Sequence, residues 1–292
     1  MSGNIMEITI PSDNECKDAI NNQDAGDKTV IGHRKGFDID RIITDIRPGE
    51  LFVLAGRPSF GKTSLMINIA LNMALGNEHA SIGIFSLECY AREIVARMLS
   101  SLTRISINDF QGQQILGSLN KAAEKLCKSK ILIEDAGSID ITDLCSKARR
   151  MRYQHGVHAI FIDYLGLIKT SDMTDASSPK EELAMISSQL KALAEELDIP
   201  VILLTQLYNS IGRYERPTLA DLEKKSGNIE QDADIIAFLH RELPTCIPKR
   251  PLPAEIIIAK NRHGSCSTVN LNFFPEYFLF ENAPNSAPEG PN

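Results

Sequence analysis

The segment Gly56-Arg57-Pro58-Ser59-Phe60-Gly61-Lys62-Thr63-Ser64 constrains this chain more than any other. It fits G-x-x-x-x-G-K-[ST] and follows directly on an apolar run, Leu51-Phe52-Val53-Leu54-Ala55, with a helical pattern starting near Lys62. The glycines at 56 and 61 let the backbone curl so that successive N–H groups point inward, and the helix N-terminus adds positive partial charge. Such a loop cradles phosphates. Lys62 is placed to reach the β- and γ-phosphates and the Thr63 hydroxyl to ligate Mg²⁺, so ATP and Mg²⁺ are the cofactors expected. The bland alternative, a chance glycine-rich turn, does not explain why strand and helix flank it on the correct sides.

The rest of the chain supplies a matching fold. Ser81-Ile82-Gly83-Ile84-Phe85-Ser86-Leu87, Ile131-Leu132-Ile133-Glu134, Ala159-Ile160-Phe161-Ile162-Asp163 and Val201-Ile202-Leu203-Leu204 are continuous apolar runs, not alternating ones. Strands buried on both faces of a parallel sheet read this way. Between them, Leu183, Ile186, Leu190, Leu193 and Leu197 recur at helical spacing, as do Leu144, Ala148 and Met151. The βαβα order predicts an α/β fold with a mainly parallel sheet flanked by helices. After Ala233, three β-rich segments follow one another across Pro- and Gly-containing turns, which predicts C-terminal, partly antiparallel strands without new helices. Residues 1–35 are expected to be an arm or linker outside the core, 36–282 one domain, and 283–292, APNSAPEGPN, a disordered tail.

Composition excludes several classes. A formal charge of -7 argues against a protein that coats nucleic acid generally. Trp is absent and aromatics are 6%, which disfavours a base-stacking platform, so nucleic-acid contact would run through phosphates. Cys16, Cys89, Cys127, Cys145, Cys246 and Cys266 form no CxxC pair, and the six histidines show no metal spacing. No apolar run approaches the ~20 residues of a membrane span, and no secretory signal is visible, so a cytoplasmic protein without membrane contact is expected.

Three further positions carry chemistry. Asp163 ends an apolar strand and is a candidate second magnesium-side carboxylate, although a plain turn gives the same pattern. Glu88 follows Ile84-Phe85-Ser86-Leu87 and is placed to activate a water, or else to cap the helix from Tyr90. Gln206 closes its strand as a γ-phosphate sensor or a turn residue.

Together these segments resemble the C-terminal motor domain of DnaB-type replicative DNA helicases, a branch of the RecA-like P-loop ATPases. The resemblance rests on AGRPSFGKTS (55–64), FSLE (85–88), IFIDYLGL around Asp163, LKALAEELDIPVILLTQL (190–207), SGNIEQDADIIAFLHRE (226–242), IIIAKNRHG (256–264) and FEN (280–282). It implies that Glu88 is the catalytic base, Asp163 the second Mg²⁺-side carboxylate and Gln206 the γ-phosphate sensor. It also implies that Lys260 and Arg262 act on the neighbouring subunit's nucleotide as a trans-acting lysine and arginine finger, where a charged strand end flanking a Gly264 turn is the plain alternative. The same resemblance implies a ring homo-oligomer, a hexamer, that moves 5′ to 3′ on single-stranded DNA during replication and is served by a helicase loader. It points to a bacterial, phage or plasmid replication protein.

The segments 168–181 and 208–228 correspond to the loops that face the channel in such motors, with Arg213, Arg216, Lys224, Lys225 and Gly227 as candidate DNA contacts. Here the chain departs from the family: DLRESG becomes Asp221-Leu222-Glu223-Lys224-Lys225-Ser226-Gly227, DYLQL becomes DYLGL, and the usual Asn-Arg after the sensor is Tyr208-Asn209. A lysine keeps the charge but loses an arginine's bidentate contact. The hydrolytic residues are intact and the DNA-side ones have drifted, so the resemblance carries ATP hydrolysis further than unwinding. Nothing in the sequence corresponds to the family's N-terminal primase-binding domain, which puts a primase contact in doubt. The other readings are a RecA-like recombination ATPase and a nucleotide-binding partner without unwinding activity. The basic cluster Lys147, Arg149, Arg150 and Arg152 reads as a solvated helix face or a subunit contact.

Overall fold

The computed structural model describes residues 5–7, 46–77, 79–170, 178–207, 215–223, 229–241 and 251–283. Their strands are β1 (Ile5–Glu7), β2 (Leu51–Gly56), β3 (Ser81–Ser86), β4 (Lys130–Glu134), β5 (Ile139–Asp140), β6 (Ala159–Asp163), β7 (Ile168–Lys169), β8 (Val201–Gln206), β9 (Ile235–His240), β10 (Leu252–Asn261), β11 (Thr268–Phe274) and β12 (Leu279–Asn282). The helices are α1 (Lys62–Gly76), α2 (Ala91–Thr103), α3 (Leu116–Lys128), α4 (Ile141–His155), α5 (Pro179–Leu197), α6 (Leu219–Glu223) and α7 (Ile229–Asp232).

Among these residues one sheet runs in the order β1-β4-β3-β6-β8-β2-β9-β10-β11-β12. Its centre, from β4 to β9, is parallel, and β10, β11 and β12 are antiparallel, as the sequence predicts. β9 itself joins the parallel part beside β2, and the reversal begins at β10. Within the arm expected at residues 1–35, Ile5–Glu7 pairs antiparallel with β4 as an edge strand.

Alternation within each strand builds two cores. Phe52, Leu54, Ile82, Ile84, Phe161 and Leu204 face α1 and α2, whereas Leu51, Val53, Phe85, Ile160, Ile162 and Leu203 face α4 and α5. Both faces are covered, which is why the strands read as unbroken apolar runs. Helix α5 starts with a capping box, Ser178 with Glu181, behind Pro179. No helix among the described residues is long and apolar enough to cross a membrane.

The basic cluster on α4 is largely engaged within the fold. Lys147 pairs with buried Glu134, Arg149 grips Glu196 through two bonds of 2.7 Å, and Arg152 donates to the Val157 carbonyl. The tail 284–292 lies outside the described residues.

Candidate active site

Parallel pairing brings the chemically loaded strand ends together. Gly56 at the end of β2 is in register with Gln206 at the end of β8, and Ser86 at the end of β3 with Asp163 at the end of β6. Two bonds extend these ladders past the strands, Leu207 N–H to the Gly56 carbonyl at 3.0 Å and Leu87 N–H to the Asp163 carbonyl at 2.8 Å. They set half-buried Gln206 beside the loop 56–63 and exposed Glu88 just beyond Asp163.

The loop has the shape its glycines allow. Gly61 precedes α1 with φ of 98°, and a Cβ there would meet the rings of Phe280 and Phe273 at 3.1 and 3.2 Å. Only glycine suits both the backbone and the space. A Cβ on Gly56 would approach the Leu239 carbonyl to 3.0 Å and the Lys62 side chain to 3.3 Å. Arg57 lies against the Phe60 ring, and its guanidinium reaches the Glu215 carbonyl at 3.5 Å.

Inside the loop, Lys62 Nζ donates to the carbonyls of Gly56 and Arg57, each at 2.9 Å. Burial pulls its pKa down to about 8, against the opposing pull of the Asp163 and Glu88 carboxylates. The Thr63 hydroxyl donates to Asp163 Oδ2 at 2.7 Å. Burial pushes the Asp163 carboxyl up; the Thr63 hydrogen bond and Lys62 oppose that shift, and Glu88 adds to it. The hydroxyl and carboxylate are hard oxygen donors in contact, which suits Mg²⁺. Among the described residues no three His, Cys, Asp or Glu side chains gather to hold a metal, so phosphate and water oxygens would complete the shell. A cation held by Thr63 and Asp163 would supply charge neutralisation for phosphate oxygens.

Glu88 does not supply a capping hydrogen bond at the N-cap of α2. Helix α2 has Tyr90 at its N-cap without a side-chain cap bond, and the Ala91 N–H is taken by Asp135 Oδ2 at 2.8 Å. The sequence reading also missed two cations. Arg97 on α2 lies near enough for its charge to lower the Asp163 pKa. Arg241 is buried, donates to the Phe60 carbonyl at 3.3 Å, and lies over the Phe60 and Phe273 rings. Neither shows a local signal, since Arg97 is brought to Asp163 by helix α2 and Arg241 to the loop by the end of β9.

Lys260 and Arg262 are not part of this cluster. Lys260 and Asn261 pair with Ile236 and Ile235 at the start of β9, and Ile235 is in register with Phe52 near the start of β2. The phosphate loop leaves the other end of β2, about 13 Å along the strand at ~3.3 Å per residue. Lys260 Nζ instead donates to the carbonyls of Glu230 and, at 2.7 Å, Ala233, while Arg262 pairs with Asp234.

Of the candidate DNA contacts, Arg216 is described: it holds Glu255 through bonds of 2.9 and 2.8 Å from an exposed position. Arg213, Lys224, Lys225 and Gly227 lie outside the described residues.

Comparison with known proteins identifies the family and the fold. The family model for the DnaB-like helicase C-terminal domain matches residues 32–282. The chain is 38% identical over 264 residues to the replicative DNA helicase DnaB of Geobacillus stearothermophilus, covering 88% of this chain and 58% of that protein. It is 37% identical to the replicative DNA helicase DnaC of Bacillus subtilis, covering 87% of this chain and 57% of that protein. The chain thus spans somewhat more than half the length of these relatives. Among solved structures, a DnaB-like replicative helicase described with its interactions with primase superposes with a TM-score of 0.77 at 31% identity, covering 89% of this chain and 63% of that one.

Proposed function

The chain belongs to the family of DnaB-like helicase C-terminal domains, and from that membership we propose that it is an ATP-driven DNA helicase motor of replication. It hydrolyses ATP at the interfaces of a homo-oligomeric ring, a hexamer, and translocates on single-stranded DNA in the 5′ to 3′ direction.

The observation that carries this reading is the division of charges between the two ends of the sheet. At one end Lys62, Thr63, Asp163, Glu88 and Gln206 form a hydrolytic set. At the other, Lys260 and Arg262 lie beside the start of β9, about 13 Å along the sheet from their own phosphate loop at ~3.3 Å per residue. A head-to-tail ring brings the two ends of adjacent copies together. The phosphate loop and Lys62 then bind the phosphates, Thr63 and Asp163 hold Mg²⁺, Glu88 takes the proton of the attacking water, and Gln206 senses the γ-phosphate. Lys260 and Arg262 of the neighbour stabilise charge spreading over the γ-phosphoryl oxygens, a contribution of ~10³ to 10⁵ in rate for an arginine finger.

Single-stranded DNA is read as passing the loops containing Arg213, Arg216, Lys224, Lys225 and Gly227, bound through phosphates without sequence preference. A helicase loader is a further expected partner. The setting this implies is the cytoplasm of a bacterium, or of one hosting a plasmid or phage.

The test is ATP turnover with and without single-stranded DNA, together with displacement of a strand from forked DNA. Wild type is expected to be stimulated by DNA and to unwind, and Glu88→Gln to bind ATP with turnover reduced by ~10² to 10⁴. A protein that binds ATP but neither hydrolyses it nor unwinds would overturn the proposal.

A further inference from the structure

The end of the sheet that carries Arg262 contains a buried carboxylate to which the sequence assigned no role. Asp234 lies between α7 and β9 and is 3% exposed. Its Oδ2 accepts the Leu51 N–H at 2.8 Å and Lys191 Nζ at 2.8 Å, and its Oδ1 accepts Arg262 Nη1 at 3.1 Å. Two backbone bonds lock it in place: its N–H donates to the Leu51 carbonyl, and its carbonyl accepts the Arg262 N–H, both at 3.0 Å. Lys191 is fixed in turn by the Gly49 carbonyl at 2.9 Å and by Glu195 at 3.0 Å.

Asp234 is therefore rigid, and it belongs to the same strand layer as the phosphate loop, since Leu51 begins β2. Arg262 is also held by the Gln231 carbonyl on α7, yet its side chain remains 43% exposed. A guanidinium carries five N–H donors in a fixed fork. Asp234 takes a donor from Nη1 and the Gln231 carbonyl one from Nη2, so two of the five are held and the orientation of the partly exposed guanidinium is fixed at both terminal nitrogens.

We propose that Asp234 is the positioning residue for Arg262, fixing the guanidinium so that it meets the neighbouring copy's γ-phosphate already oriented. This rests on the reading that Arg262 acts in trans. The clamp adds no charge to the reaction. It removes the rotamer freedom of a long side chain that otherwise must be ordered in the transition state, and a misplacement of about 1 Å in such a group costs ~10²-fold in rate.

The test is a double-mutant cycle of Asp234→Asn and Arg262→Ala in the full chain, reading kcat, KM for ATP, oligomer size and thermal unfolding. Asp234→Asn keeps the side-chain shape and an oxygen acceptor. It is expected to lower kcat by ~10²-fold with KM and assembly unchanged, and to cause no further loss in the Arg262→Ala background. Lys191→Met removes another partner of the same carboxylate without touching Arg262, and is expected to lower stability while keeping turnover to within a few-fold. If Asp234→Asn does not fold, Asp234→Glu, which keeps the charge but displaces the guanidinium, is expected to show the same loss of kcat.

Additive losses in the double variant, an equal loss in Lys191→Met, or a gain of turnover in Asp234→Asn would each overturn the assignment. Full turnover in Arg262→Ala alone would instead overturn the trans reading beneath it. A fall in Arg262→Ala with none in Asp234→Asn would overturn only the role of Asp234.

Discussion

Lys62 shows at the scale of one residue how the loop is poised. Its ammonium spends two hydrogen bonds on loop carbonyls, and burial lowers its pKa to about 8 although two carboxylates oppose that shift. The folded value lies below that of a solvated lysine, so keeping the charge costs stability below about pH 8. That cost is relieved as pH rises from there toward ~10.4, because the unfolded chain then binds more protons than the folded one. Polyphosphate reverses the balance by placing negative charge beside the ammonium. ATP binding is therefore expected to take up protons near pH 8 to 9, about the folded pKa, with the uptake shrinking toward neutral pH. Calorimetry in buffers of differing ionisation enthalpy measures it. Equal uptake by Lys62→Met would show that another group is responsible.

At the scale of elements, α2 begins without a cap of its own and borrows one from Asp135, at the end of the neighbouring strand. Asp135→Ala is expected to lower stability by about 1 kcal/mol, read as a shifted midpoint in chemical denaturation with an unchanged slope. No shift would mean that water replaces the carboxylate. This cap also marks where sequence reading stops. The central strands were legible because helices cover both faces, and the phosphate loop because its chemistry is packed into adjacent residues. Helix α3 was not: only Ala122 and Leu126 are buried, too thin a stripe to stand out. The strands β5 and β7 are two residues each and carry no periodicity. Asp135, Arg97, Arg241 and Asp234 act through partners brought by other strands or helices, and no local pattern records such a contact. Glu88, Asp163 and Gln206 were legible as strand ends, but their convergence required the order β3-β6-β8-β2.

At the scale of the whole molecule, the central claim is that one chain holds half of its catalytic machinery at each end of its sheet. The net charge of -7 is compatible with this, because the positive groups that matter are few and placed. The most direct measurement mixes two inactive variants. Glu88→Gln lacks the base at its own nucleotide, and Arg262→Ala lacks what it offers its neighbour's. Each alone is expected to turn over ATP poorly. Equal parts, assembled together, are expected to recover turnover, because some interfaces then join an intact hydrolytic set to an intact finger. Failure of the mixture to exceed either variant, with co-assembly confirmed by size, would contradict a site completed between chains.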